Sequence, residues 1–98
     1  MVDTKKGKVL ARLDLTSYTI FETDWNQNGV VACSENGNIY FITFDPNEST
    51  IKLENVFTCE SALRTIQWNP QLPQRLAAGT FEGKIIILKV EKGNFSVT

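Results

Sequence analysis

The chain has 98 residues, with 10 Lys plus Arg against 11 Asp plus Glu and a formal charge of −1. This bounds it to one small domain and leaves no basic field for nucleic acid or an anionic membrane surface. It contains no histidine, the usual general base and the commonest metal ligand, so composition argues against an enzyme and no cofactor or metal is expected.

Residues 1–7 read as a polar tail with no apolar run behind it, which is not a signal peptide. No stretch approaches the roughly 20 apolar residues of a membrane span. The expected compartment is the cytoplasm or nucleus, with membranes reached only through partners. Val9–Leu15 alternates Val9, Ala11, Leu13 and Leu15 against Arg12 and Asp14, the period of a half-exposed strand. Ile20–Trp25 is the next strand, followed by an Asn-rich turn to Gly29 and the strand Val30–Ser34. Asn36-Gly37 signals a tight hairpin, because both residues tolerate positive φ. Ile39–Phe44 follows, closed by Asp45-Pro46-Asn47, and Ile51–Phe57 alternates less cleanly. Beyond it, Leu63–Trp68, Arg75–Thr80 and Ile85–Val90 complete the series. No window carries apolar residues at helical spacing, so the fold class is all-β with antiparallel strands. Ile39–Phe44 and Ile85–Leu88 are apolar at consecutive positions, which predicts sheets covered on both faces.

Cys33 and Cys59 form no Cys-x-x-Cys pair, and two cysteines are fewer than a disulfide-dependent domain carries. They read as reduced thiols half buried in strands. The sequons Asn47-Glu48-Ser49 and Asn94-Phe95-Ser96 match a pattern frequent by chance.

Self-comparison is informative. Phe21–Asn26 aligns with Arg64–Asn69 at a shift of 43 residues, and Val31–Ile39 with Ala77–Ile85 at a shift of 46. The three extra residues fall in the Pro70–Gln74 turn, where an insertion is tolerated. A period of this size, with four strands per copy, fits a propeller blade.

The run Ile66-Gln67-Trp68-Asn69-Pro70, followed by Leu76 through Gly79-Thr80-Phe81-Glu82-Gly83-Lys84-Ile85 to Leu88, resembles WD-repeat β-propellers. The resemblance covers about residues 8–90. It implies antiparallel four-stranded blades: blade 1 over about 19–57, blade 2 over about 62–98, and Val9–Leu15 as an outer strand of a preceding blade. Departures are plain. The family's Trp-Asp pair falls at Ile42-Thr43 and Leu88-Lys89, its Gly-His pair is absent, and Asn36 and Glu82 stand where its aspartate would be. Ser34 and Thr80 keep the second-strand hydroxyl, but the other departures break the family's hydrogen-bond tetrad, and apolar packing must hold the blades. About two blades make an incomplete propeller, either a fragment of a longer one or a chain completed by others. Open sheet faces and edges then predict that it is not a stable monomer alone.

Asp14, Glu22, Asp24, Asp45 and Glu82 form no acid–base or metal spacing and are expected on solvated faces and turns. Trp25 and Trp68 share one repeat position and are expected to be buried. The run Lys5-Lys6-Gly7-Lys8 reads as solvated tail. The function that follows from the resemblance is a non-enzymatic scaffold docking peptides or subunits. A trafficking-coat subunit and an enzyme propeller with a central-channel site are the alternatives. Mapped by motif, the docking face holds Phe21 and Arg64 at the inner-strand starts, with Glu35 and Phe81 in the hairpins. Aromatic anchors beside charged rim residues are what protein interfaces enrich.

Overall fold

A computed structural model describes residues 12–97. They form eight strands: β1 (Ile20–Asn26), β2 (Gly29–Ser34), β3 (Asn38–Asp45), β4 (Thr50–Thr58), β5 (Leu63–Trp68), β6 (Arg75–Thr80), β7 (Ile85–Glu91) and β8 (Asn94–Val97). Two four-stranded antiparallel sheets result, β1-β2-β3-β4 and β5-β6-β7-β8, each made of consecutive hairpins. There is no helix among the described residues. The seven strands expected from Ile20 to Val90 are all present, with ends displaced by at most one residue.

One element completes the expectation and one departs from it. β8 is the fourth strand that a four-stranded copy over about 62–98 implies, although the sequence delimits no strand beyond Val90. Lys92 and Gly93 take φ of 54° and 80° in a two-residue turn that pairs Glu91 with Asn94, the backbone of a tight hairpin. The expected strand Val9–Leu15 is corrected where it is described, since Arg12–Leu15 belongs to no strand. Arg12 Nε instead bonds Asp14 Oδ1 at 3.2 Å, tying the exposed segment to itself. The rest of that strand, and the tail at 1–7, lie outside the described residues.

The repeat survives in three dimensions. In the first sheet Ile20 pairs with Ser34 and Glu22 with Cys33; in the second Leu63 pairs with Thr80 and Thr65 with Gly79. Each ladder therefore skips one residue at the same place, Phe21 in one copy and Arg64 in the other. The β2–β3 and β6–β7 hairpins repeat as well, with Gly37 at φ 88° and Gly83 at φ 87°.

The sheets pack face to face. Val31, Cys33, Ile39 and Phe41 of the first meet Leu63, Ile66, Trp68, Leu76, Ala78, Leu88 and Val90 of the second. Phe41 stands edge-on to Trp68, ring centroids 6.2 Å apart, and to Phe95 at 6.3 Å. On the other side of the first sheet, Ala32, Tyr40 and Ile42 are buried beneath Leu15, Ile20 and Ile51. β3 is thus covered on both faces, as its unbroken apolar run predicts.

β7 is not. Ile85 is 74% exposed and Ile87 40%, whereas Leu88 is fully buried. Among the described residues the second sheet buries only the face it turns to the first, so the expectation of two-sided burial fails there. Trp25 needs the same correction: it is 63% exposed against 4% for Trp68. The two occupy equivalent positions, but Trp68 looks back onto the first sheet. Trp25 looks away from the second sheet, and Leu15, Ile20 and Ile51 cover its sheet at Tyr40 and Ile42 rather than at the indole.

Candidate functional site

The skipped residues define the site. A residue left out of a ladder is bulged, and a bulge re-aims its side chain. Phe21 and Arg64 are released in this way at the start of β1 and β5. Phe81 sits just beyond β6, its hairpin held by the Phe81 N–H donating to Ala62 O at 3.1 Å. The three side chains meet across the seam between the sheets. The Phe21 and Phe81 rings are 5.4 Å apart at 66°, edge to face. Arg64 Cζ lies 5.8 Å from the Phe81 centroid, within cation–π range. Both phenylalanines stay open to water, at 44% and 52% exposure. Among the described residues Arg64 makes no ion pair.

Glu35 does not join them through any ion pair or hydrogen bond. It occupies in the first sheet the place of Phe81 in the second and is turned to the segment that enters β1. Its Oε1 accepts the Thr19 N–H at 3.1 Å while its N–H donates to Thr19 O at 3.0 Å. Three of the four expected site residues form one cluster, and the fourth braces a neighbouring turn.

The carboxylates do structural work that spacing alone did not disclose. Strand β5 offers edge N–H groups toward β1, and two acids meet them. Ile66 N–H donates to Glu22 Oε1 at 2.7 Å, and Trp68 N–H to Asp24 Oδ2 at 2.8 Å. Thr65 Oγ1 also donates to Glu22. The Thr65 hydroxyl first, then the Ile66 amide, hold the Glu22 carboxyl below its ordinary value. At the far end of the seam, Asn26 and Asn28 both donate through Nδ2 to Pro73 O, at 2.9 and 2.7 Å. At the outer strands, Asn55 Nδ2 donates to Gly93 O at 3.0 Å. Asp45 accepts the Asn47 N–H within its turn at 2.9 Å, and Glu82 accepts from Ser61.

The hydroxyls at the second-strand position also act locally. Ser34 donates to Asn36 within its hairpin, and Thr80 Oγ1 accepts the Lys84 N–H at 3.1 Å. Burial pushes the thiols of Cys33 and Cys59 up, and both are free. Cys33 lies in β2 as expected, whereas Cys59 follows the end of β4. No group of three His, Cys, Asp or Glu among the described residues is placed to hold a metal ion. One open depression of about 430 Å³, lined by Asn28, Leu72, Pro73, Gln74, Arg75 and Lys89, lies at the end of the strands opposite Phe21.

No protein-family model matches this chain, and no curated protein matches it significantly. The functional reading therefore rests on the geometry.

Proposed function

We propose that this chain is a non-enzymatic protein–protein interaction scaffold, two consecutive blades of a degenerate WD-like propeller, which docks a protein partner on the end face carrying Phe21, Arg64 and Phe81. One observation carries the docking reading. Two phenylalanines from different sheets are held in contact at a bulge and a hairpin tip, yet each keeps about half of its surface in water. Pre-positioned aromatic area beside a guanidinium is the composition of an interface anchor. Glu35 stands on the rim, fixed by Thr19. The blade reading is supported by the shared register, the shared bulge and the carboxylate clamp between the sheets.

Charge reversal at Arg64 combined with Phe81→Ala tests it. Both side chains are exposed, so the melting curve followed by circular dichroism is expected to stay in place. Partner capture from extract is expected to fall by about 2 kcal/mol or more, roughly 30-fold. Recovery of the same partners in the same amounts at the same salt would show that this face is not the docking site.

A further inference from the structure

The acids around the Phe21–Arg64–Phe81 cluster decide what it can receive. Three carboxylates stand beside these side chains in sequence or in repeat position, and each is already engaged. Glu22, next to Phe21, accepts the Thr65 hydroxyl and the Ile66 amide. Glu35, the repeat mate of Phe81, accepts the Thr19 amide at 3.1 Å. Glu82, next to Phe81, accepts the Ser61 hydroxyl. Among the described residues none of them pairs with Arg64. The contact of Arg64 with the Phe81 ring uses its charge and leaves its fork of N–H groups to meet an acceptor. The cluster therefore offers one cation beside two apolar rings that stay open to water.

We propose that the partner segment docked here is a peptide with one carboxylate beside an aliphatic or aromatic side chain, flanked by basic residues. The proposal rests on the docking reading and names the ligand of that site. Charge complementarity chooses it. A carboxylate can take two parallel N–H bonds from a guanidinium, while its apolar neighbour covers the open parts of the Phe21 and Phe81 rings. Distance sets the spacing. Arg64 Cζ lies 5.8 Å from the Phe81 centroid, which is about two residues of extended chain at ~3.3 Å each.

The rim sets the flanks. At this end of the sheets Glu22, Glu35, Glu60 and Glu82 stand against Arg64 and Lys84. A run of acids is repelled there, whereas a single one is held at Arg64. Glu35 belongs to the β2–β3 hairpin and Glu82 to the β6–β7 hairpin. Basic residues that meet both must lie on a chain that crosses the seam, which a free small carboxylate cannot do.

Selection from a library of random linear peptides on the immobilised intact chain tests it, in parallel with Arg64→Gln and the Arg64-reversed, Phe81→Ala variant. Arg64 is exposed, so the circular dichroism melt of Arg64→Gln is expected to stay in place. Peptides kept by the wild type are expected to hold an Asp or Glu within about two residues of an apolar side chain, with Lys or Arg outside. Arg64→Gln is expected to lose the preference for the acid and keep that for the apolar residue. Fluorescence anisotropy then compares a selected peptide with the same peptide carrying the amide in place of the acid. The amide form is expected to bind the wild type about tenfold more weakly, the scale of one charge-assisted contact, and Arg64→Gln equally well. Phosphoserine in the acid's place is expected to bind more weakly, because the rim acids oppose a second charge. Tighter binding of phosphoserine reassigns the cluster to phosphopeptides and overturns the proposal. Apolar peptides kept with no preference for an acid also overturn it; if the Arg64-reversed, Phe81→Ala variant loses them, the docking face itself still stands. A wild type that keeps no peptide above the level of that variant overturns the proposal and leaves the docking reading to partner capture, its own test.

Discussion

Trp68 and Trp25 offer a direct test of which faces are covered, since one substitution can be made at two equivalent positions. Trp68 is 4% exposed, packs edge-on to Phe41, and donates its indole Nε1–H to Gly29 O at 3.2 Å. A buried indole removes on the order of 200 Å² from water. At about 25 cal/mol per Å² that is worth ~5 kcal/mol, part of which alanine retains. The lost hydrogen bond and the cavity add to the cost, so Trp68→Ala is expected to destabilise by about 3–5 kcal/mol. Trp25 is 63% exposed, and Trp25→Ala is expected to cost about 1 kcal/mol or less. Urea unfolding followed by far-ultraviolet circular dichroism measures both, with an unchanged slope showing that the unfolded state is not the origin. Equal costs at the two positions, or a Trp68→Ala cost below about 1 kcal/mol, would refute the assignment of inner and outer faces.

The Glu22 clamp gives a pH dependence. The carboxyl is held below its ordinary value by Thr65 and Ile66, so its contribution is present above the unfolded-state value and lost as pH falls through the folded one. At this exposed site the contribution is about 1 kcal/mol, and Glu22→Gln is expected to flatten the acid limb of stability, read by urea midpoints from neutral pH downward. Gly37→Ala and Gly83→Ala share a positive φ, but a Cβ at Gly37 would lie 2.8 Å from Cys59 O and 2.9 Å from Ser61 O, while Gly83 has open space. Thermal melts are expected to show a cost of about 1 kcal/mol at Gly83 and clearly more at Gly37; equal costs would contradict that packing. Cys33 is buried with its thiol pushed up, so a thiol reagent is expected to label it only at the rate of unfolding, whereas prompt labelling in native buffer would show that β2 opens locally.

Much of the architecture was legible one residue at a time. Alternating and continuous apolar runs, bounded by Asn-Gly, Asp-Pro and Glu-Gly turns, located seven strands nearly to the residue. Internal alignment placed Phe21 with Arg64 and Glu35 with Phe81 as repeat mates, and the ladders keep that equivalence. Period and turn chemistry are local properties, set by backbone sterics that act within a few residues. The candidate site was partly legible for the same reason. The repeat marked which positions stand at the strand ends, but nothing local says that Phe21 of one sheet touches Phe81 of the other.

What the tertiary structure alone decided follows from long-range contact. Trp25 and Trp68 are the same residue in the same repeat position with similar neighbours, yet one is exposed and one is buried, because among the described residues only the second has a sheet in front of it. Ile39 and Ile85 divide in the same way, buried where the second sheet covers β3 and open where no described element covers β7. Glu22 and Asp24 looked like solvated strand acids until β5 brought two edge amides within hydrogen-bond distance. Sequence thus determined the strands, their order and the repeat, since these depend on each residue's own stereochemistry and spacing. Which face of each strand lies dry, and which carboxylate has a partner, depends on residues some forty positions away, and only packing one sheet on the other brings them together.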